Sequence, residues 1–294
     1  MVSAAEPFKP GTCEQIISYY KSEALYVKDC CILLFSNFTA DLTTNFGIVR
    51  YPFLGVWEVL HSAEYGYSLL FFFLTYLVAY MTMLLFYFIF LFPFTVAAYG
   101  VFGPIGFLLA LLHGILFSNI EACYEVRSDT SHYMLNLLRF TFTRHNMSSV
   151  LLCPDTLHLR PEDSIKPWSE YLKSAEFWTG TLPIFLLQRF FMLIIFFVWY
   201  LISLVPIAGI ILLKFHNSPH RGFSYVLPFY RDIRKYDKRA LARIYYGGYA
   251  RWLLLGASTG ILEFIPILAG IALCTNSAGC ALWEIKQVKN HRME

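Results

Sequence analysis

The stretch YGYSLLFFFLTYLVAYMTMLLFYFIFLFPFTVAAYGVFGPIGFLLALLHGILFSNI, residues 65–120, contains no Asp, Glu, Lys or Arg across its 56 positions. A helix rises ~1.5 Å per residue, so roughly 20 apolar residues cross the ~30 Å hydrocarbon core of a bilayer. The run is long enough for two passes. Phe92-Pro93 offers a helix end, and Tyr99-Gly100-Val101-Phe102-Gly103-Pro104 offers a turn. The sequence therefore predicts a hairpin whose second arm, Ile105 to Ile120, is short for a full span.

Two further apolar runs follow. Residues 177–213 are interrupted only by Arg189, and Trp252 to Trp283 carries Glu263 as its one charge. Pro266 and Gly270 split that last run into arms of about fourteen residues, which reach only ~21 Å. Composition agrees: 57% of the 294 residues are hydrophobic and 15% charged, whereas a soluble domain carries about 25% charge. The expected fold class is an all-α integral membrane protein that combines transmembrane helices with half-inserted helical hairpins. Six segments follow from the charge pattern: an N-terminal cytoplasmic or interfacial segment (1–64), a first membrane hairpin (65–120), a polar linker (121–176), a second membrane region (177–213), a basic amphipathic linker (214–251), and a third hairpin with its tail (252–294).

The opening residues, Met1 to Gly11, lack the basic-then-apolar profile of a cleaved signal sequence, so the first apolar run is expected to direct its own insertion. Seven cysteines form no C-x-x-C pair; an odd count without that spacing argues against a disulfide framework or a zinc site. Cys30-Cys31 beside Ile32-Leu33-Leu34-Phe35 offers a palmitoylation site or, more simply, small buried apolar groups.

Regions two and three share a pattern. Pro206 and Gly209 precede Asn217-Ser218, and Pro266 and Gly270 precede Asn276-Ser277. Duplication is common in membrane proteins, although Pro and Gly also punctuate membrane helices without it.

Charge is uneven. Between Lys214 and Arg251 lie nine Lys/Arg and two acids, whereas residues 121–176 carry six Lys/Arg and eight acids. Four ordinary spans would put the basic linker opposite both termini, against the positive-inside rule. Hairpins that leave every charged segment cytoplasmic satisfy the rule. A protein with all its polar parts on one face can also occupy a lipid monolayer. The sequons Asn37-Phe38-Thr39 and Asn146-Met147-Ser148 are then expected to stay unglycosylated.

Within the basic linker, Phe229, Ile233, Tyr236, Ala240 and Ile244 recur at helical spacing, flanked by Arg231, Arg234, Lys235, Lys238, Arg239 and Arg243. An interfacial helix of this kind attracts anionic headgroups, each basic residue contributing about 1 kcal/mol near the surface. The plainer reading is that these charges only fix topology. Membrane lipids are the expected partners and nucleic acid is not; a homo-oligomer or a membrane-protein partner stays open.

The C-terminal run Glu263-Phe264-Ile265-Pro266-Ile267-Leu268-Ala269-Gly270, followed by Thr275 to Glu284 (TNSAGCALWE), resembles the signature of fungal membrane proteins related to the etoposide-induced protein and the sulfate permease CysZ. Tyr51-Pro52-Phe53-Leu54-Gly55 and Gly103-Pro104 are similar to the same group. The fungal branch includes lipid-droplet and outer-spore-wall assembly proteins. The resemblance implies helical hairpins, a place on endoplasmic reticulum or lipid droplets, with the prospore membrane or spore wall as a further site, and a role in spore-wall assembly. It also allows a small-anion transporter as the alternative function.

Remaining polar residues are weighed singly. Glu263 in an apolar run faces a partner, Arg189 or the backbone freed by Pro266, or else lies near the interface. Arg189 otherwise snorkels to the headgroups. His113 reads as a hydrogen-bonded packing residue before a proton relay. His158-Leu159-Arg160-Pro161-Glu162-Asp163 matches an acyltransferase H-x-x-x-x-D box, but Pro161 and the lack of a Gly-rich partner motif count against it. His216 and His220 have metal-ligand spacing without a third ligand, and Pro219 between them. No catalytic residue, metal or cofactor is expected.

Overall fold

The computed structural model describes residues 13–152, 182–206 and 208–293, and its described residues are helical with no strand. The H-x-x-x-x-D box lies outside them. The helices are α1 (Cys13–Thr44), α2 (Tyr51–Leu60), α3 (Gly66–Phe86), α4 (Phe92–Tyr99), α5 (Pro104–Asp129), α6 (Ser131–Arg144), α7 (Ser149–Leu152), α8 (Leu182–Ser203), α9 (Ala208–His216), α10 (Ser218–Pro228), α11 (Lys238–Gly247), α12 (Tyr249–Leu262) and α13 (Leu268–Met293). Three stretches are long and apolar enough to cross a membrane: Ala63–Phe102, Pro104–Asp129 and Leu268–Asn290.

The centre is α13, which packs against α2, α3, α5, α6, α10 and α12. Two helix contacts in the bundle need glycine. A Cβ on Gly55 of α2 would fall on Thr275 O and the Gly279 backbone of α13, and one on Gly222 of α10 would fall on Trp252 O and Gly256 of α12. Small residues let helix backbones touch where lipid offers no hydrophobic drive for association. Around these contacts Trp252, Leu255, Leu273, Cys274 and Ala278 form a core with no exposure.

Pro93 does not end its helix. The chain runs on as one rod from Ala63 to Phe102, with a π-turn at Tyr87–Leu91 directly before α4. A proline lacks an N–H and its ring clashes with the carbonyl four residues back. Widening the preceding turn moves that carbonyl aside, so the rod continues. The turn at Gly100 to Gly103 does form, and Gly103 has φ +60° and ψ −139°, a conformation open to glycine.

Two boundaries shift. The polar linker expected from residue 121 begins inside α5, and α6 buries Met134, Leu135, Leu137, Leu138, Thr141 and Phe142 against the bundle. The basic linker is not one helix: Lys235 has φ 55°, and Asp237 caps α11 by accepting from Ala240 N at 2.7 Å. Phe229 and Ile233 therefore join a cluster with Leu138 and Phe142, while Ile244 and Tyr245 pack against the main core.

The two Pro-Gly motifs occupy equivalent turns. After α8, Ala208 N donates to Pro206 O at 2.6 Å and Gly209 N to Val205 O at 2.9 Å. After α12, Leu268 N donates to Pro266 O at 2.9 Å and Ala269 N to Ile265 O at 3.0 Å. The hydrogen-bond offsets are the same, so each proline builds the same reversal between two helices. Gly209 then lies on the Ile202–Ser203 backbone, and Gly270 on Tyr76 and Phe73.

Candidate functional site

The second turn carries the most buried charge among the described residues. Glu263 is 1% exposed. Its Oε2 accepts from Arg127 Nη1 of α5 at 2.7 Å and lies 3.4 Å from Arg221 Nε of α10. Its Oε1 accepts from Tyr225 Oη at 2.5 Å and Asn276 Nδ2 at 2.9 Å. Lys214, also buried, places its ammonium 5.0 Å from the Phe264 ring. Arg221 donates from Nη1 to Gly256 O at 3.2 Å. Asn119 of α5 fixes the turn backbone, donating to Glu263 O at 2.9 Å and Phe264 O at 3.3 Å while accepting from Tyr76 Oη at 2.7 Å.

Seven elements thus converge on one carboxylate and its turn: α3, α5, α9, α10, α12, the turn and α13. The cluster holds three cations to one anion, and Arg221 Nε and Asn276 Oδ1 have no hydrogen-bond partner among the described residues. Burial, and then the Glu263 carboxylate beside it, hold the Tyr225 phenol well above its usual value, so it remains a proton donor to that carboxylate. Both carboxylate oxygens are engaged. The arrangement clasps helices and leaves no free base.

A second polar knot lies in the apolar layer. His113 Nδ1 is 2.7 Å from Tyr87 Oη and its Nε2 is 3.1 Å from Ser203 Oγ. Tyr87 Oη also meets Thr95 Oγ1 at 2.7 Å, which in turn lies 3.3 Å from Tyr200 Oη. Ser203 Oγ donates to Tyr200 O at 2.6 Å. Such mutual satisfaction is what buried polar groups require, and it joins the α3–α4 rod, α5 and α8.

The sequence-derived residues divide accordingly. Glu263 and Asn276 meet in the clasp; Pro266 and Gly270 shape its turn and Pro206 and Gly209 the matching one. Glu263 does not meet Arg189, which is exposed on α8; Arg127 and Arg221 take that place. His216 stacks on Trp199 at 3.9 Å and His220 lies edge-on to Tyr124, and no group of three metal-ligating side chains occurs among the described residues. Of the basic residues, Arg231 pairs with Asp232 at 2.9 Å, Arg234 stacks on Phe229 and Arg239 on Tyr26. Lys235, Lys238 and Arg243 are exposed.

Reading by segment missed Arg127, Lys214, Arg221, Tyr225 and Asn119. One signal was available: Glu263 in an apolar run demands a cation, and Lys214 sits at the end of the other Pro-Gly hairpin.

The chain is 32% identical over 280 residues to the outer spore wall protein LDS2 of Saccharomyces cerevisiae, covering 94% of this chain and 76% of that protein. From the same yeast, the outer spore wall protein RRT8 is 27% identical over 270 residues (88% of this chain, 78% of that protein). The outer spore wall protein LDS1 is 28% identical over 255 residues (85% and 73%). No family model matches the chain, and no solved structure does. The broader tie to the etoposide-induced protein and CysZ rests on motif resemblance alone.

Proposed function

This chain belongs to the outer spore wall protein family, and from that premise we propose a non-enzymatic multi-pass membrane protein that organises lipid surfaces of the endoplasmic reticulum and lipid droplets during spore-wall assembly. The names of its relatives support the spore-wall part. The lipid part is carried by one observation. Along the rod, α5 and α8, large apolar side chains face outward; Val78, Leu85, Phe94, Leu108 and Leu193 are each at least 64% exposed. A soluble monomer rarely presents more than a few hundred Å² of such contiguous surface, which supports a belt covered by hydrocarbon.

Helix lengths favour hairpins. At ~1.5 Å per residue, α9 reaches about 14 Å and α12 about 21 Å, both short of a ~30 Å core. Each is the short arm of a reversal whose other arm, α8 or α13, is long. On this reading the two short arms leave the basic segment between them on one face. That sidedness suits a droplet monolayer, and Lys235, Lys238 and Arg243 would meet its anionic headgroups. The relatives do not favour anion transport.

Two measurements test this. A fluorescently tagged chain should concentrate on droplets in oleate-fed cells, and protease added to intact microsomes should cleave within residues 234–243. An even reticular signal with that segment protected would sink the proposal.

A further inference from the structure

A groove of about 460 Å³ runs between α2 and the C-terminal end of α13, within the usual size for a ligand site. Its apolar side is made by Leu54, Trp57, Leu282 and Ile285, and Lys286 and Lys289 stand at its edge. The Gly55–Gly279 backbone contact fixes the separation of its two walls. One carboxylate, Glu58, also lines it, but it is paired with Arg144 Nε at 3.0 Å, a guanidinium that also reaches Glu64 at 2.6 Å. The two lysines therefore set the sign of the groove.

Position and chemistry agree. The long apolar stretch of α13 runs to Asn290, so on the membrane reading above Lys286 and Lys289 stand at its end, at headgroup level. Trp57, 65% exposed and stacked on His61 at 3.6 Å, is the side chain type that prefers that boundary. An apolar trough ending in two ammonium groups at this depth matches one kind of molecule. We propose that this groove binds a single anionic glycerophospholipid, with acyl chain along Leu54, Trp57 and Leu282 and phosphate between Lys286 and Lys289. The inference rests on the membrane reading above, but concerns a site apart from the basic segment 231–243.

The test uses the full chain in detergent, with native mass spectrometry against phosphatidic acid, phosphatidylcholine of the same acyl chains, and inorganic phosphate. Phosphatidic acid should bind about tenfold more tightly than phosphatidylcholine. The double variant Lys286→Gln/Lys289→Gln should weaken phosphatidic acid about tenfold, and Leu54→Trp, which fills the trough at an exposed position, should weaken both lipids. Arg139→Gln, at an exposed position of α6 outside both basic sites, should leave the adduct unchanged. A photoreactive benzoylphenylalanine at position 57 should capture lipid.

Unchanged binding in the lysine and Leu54 variants, an equal loss in the Arg139 variant, displacement by inorganic phosphate at the lipid's own concentration, or capture of protein in place of lipid would each overturn the assignment. The lysines are exposed, so their replacement tests the idea even if Leu54→Trp fails to fold. Should the wild-type chain wash off membranes, the proposed function fails; should it stay while the groove variants bind normally, only this inference does.

Discussion

Replacing Glu263 with glutamine keeps the shape of the clasp and removes its only negative charge. The oxygen facing Tyr225 and Asn276 survives, but an amide nitrogen now points at Arg127 Nη1, 2.7 Å away in the wild type. Arg127, Arg221 and Lys214 stay buried at 6%, 3% and 7% exposure, three cations with no counter-charge. Removing one partner of a buried ion pair costs ~3–5 kcal/mol, because the desolvation of the other is left uncompensated. For a chain of this size each kcal/mol lowers the melting midpoint by about 2–4 °C, so a fall of about 10 °C or more is expected. Differential scanning fluorimetry of the purified protein in detergent reads it directly. Arg127→Met should cost less, since Arg221 and Lys214 still answer the carboxylate. The double variant should fall short of the summed losses by about 1 kcal/mol or more. A Glu263→Gln midpoint within about 2 °C of wild type would refute the reasoning, for the carboxylate could not then be holding those helices.

Gly55→Leu should push α2 off α13, since even a Cβ meets the Thr275 carbonyl and the Gly279 backbone; loss of the monodisperse gel-filtration peak is the expected readout. His113→Phe leaves Tyr87 and Ser203 without their ring-nitrogen partners, and about 2 kcal/mol of destabilisation should follow, seen as a lower thermal midpoint. Asn146 is exposed with φ 58° in the turn after α6; if the polar segments share the cytoplasmic face, endoglycosidase treatment of the expressed chain should cause no mobility shift. Substituting Lys235, Lys238 and Arg243 with glutamine should weaken co-flotation with phosphatidylserine vesicles roughly in proportion to the charge removed.

The membrane class was legible because charge is excluded from hydrocarbon, and the run at 65–120 excludes it completely. The Pro-Gly turns were legible because proline and glycine act locally. Pro93 misled for the same reason: its local effect is real, but a π-turn absorbed it. The clasp was not legible. Arg127, Lys214 and Arg221 lie in segments whose charges look like loop charges, and only tertiary packing folds those segments inward. This also revises the topology argument. Of the nine Lys/Arg between residues 214 and 251, Lys214 and Arg221 are buried and answer Glu263, leaving seven to fix sidedness. The amphipathic period from Phe229 to Ile244 was real as a pattern, yet its two halves serve different clusters, because Lys235 turns the chain between them.

The helix at the heart of the bundle has a consequence for how the protein is made. Of the most apolar stretch of α13, 83% is covered by protein, and its inward side chains include Asn276 and Glu284. Its mean hydropathy, 1.2 against 2.2 for the rod at 63–102, gives it little reason to leave water for oil unaided. This helix, made after the segments it packs against, thus depends on a socket already assembled by its predecessors. Biogenesis should therefore include a threading step, and a chain damaged anywhere in that socket would strand α13 outside the bilayer, where quality control can find it.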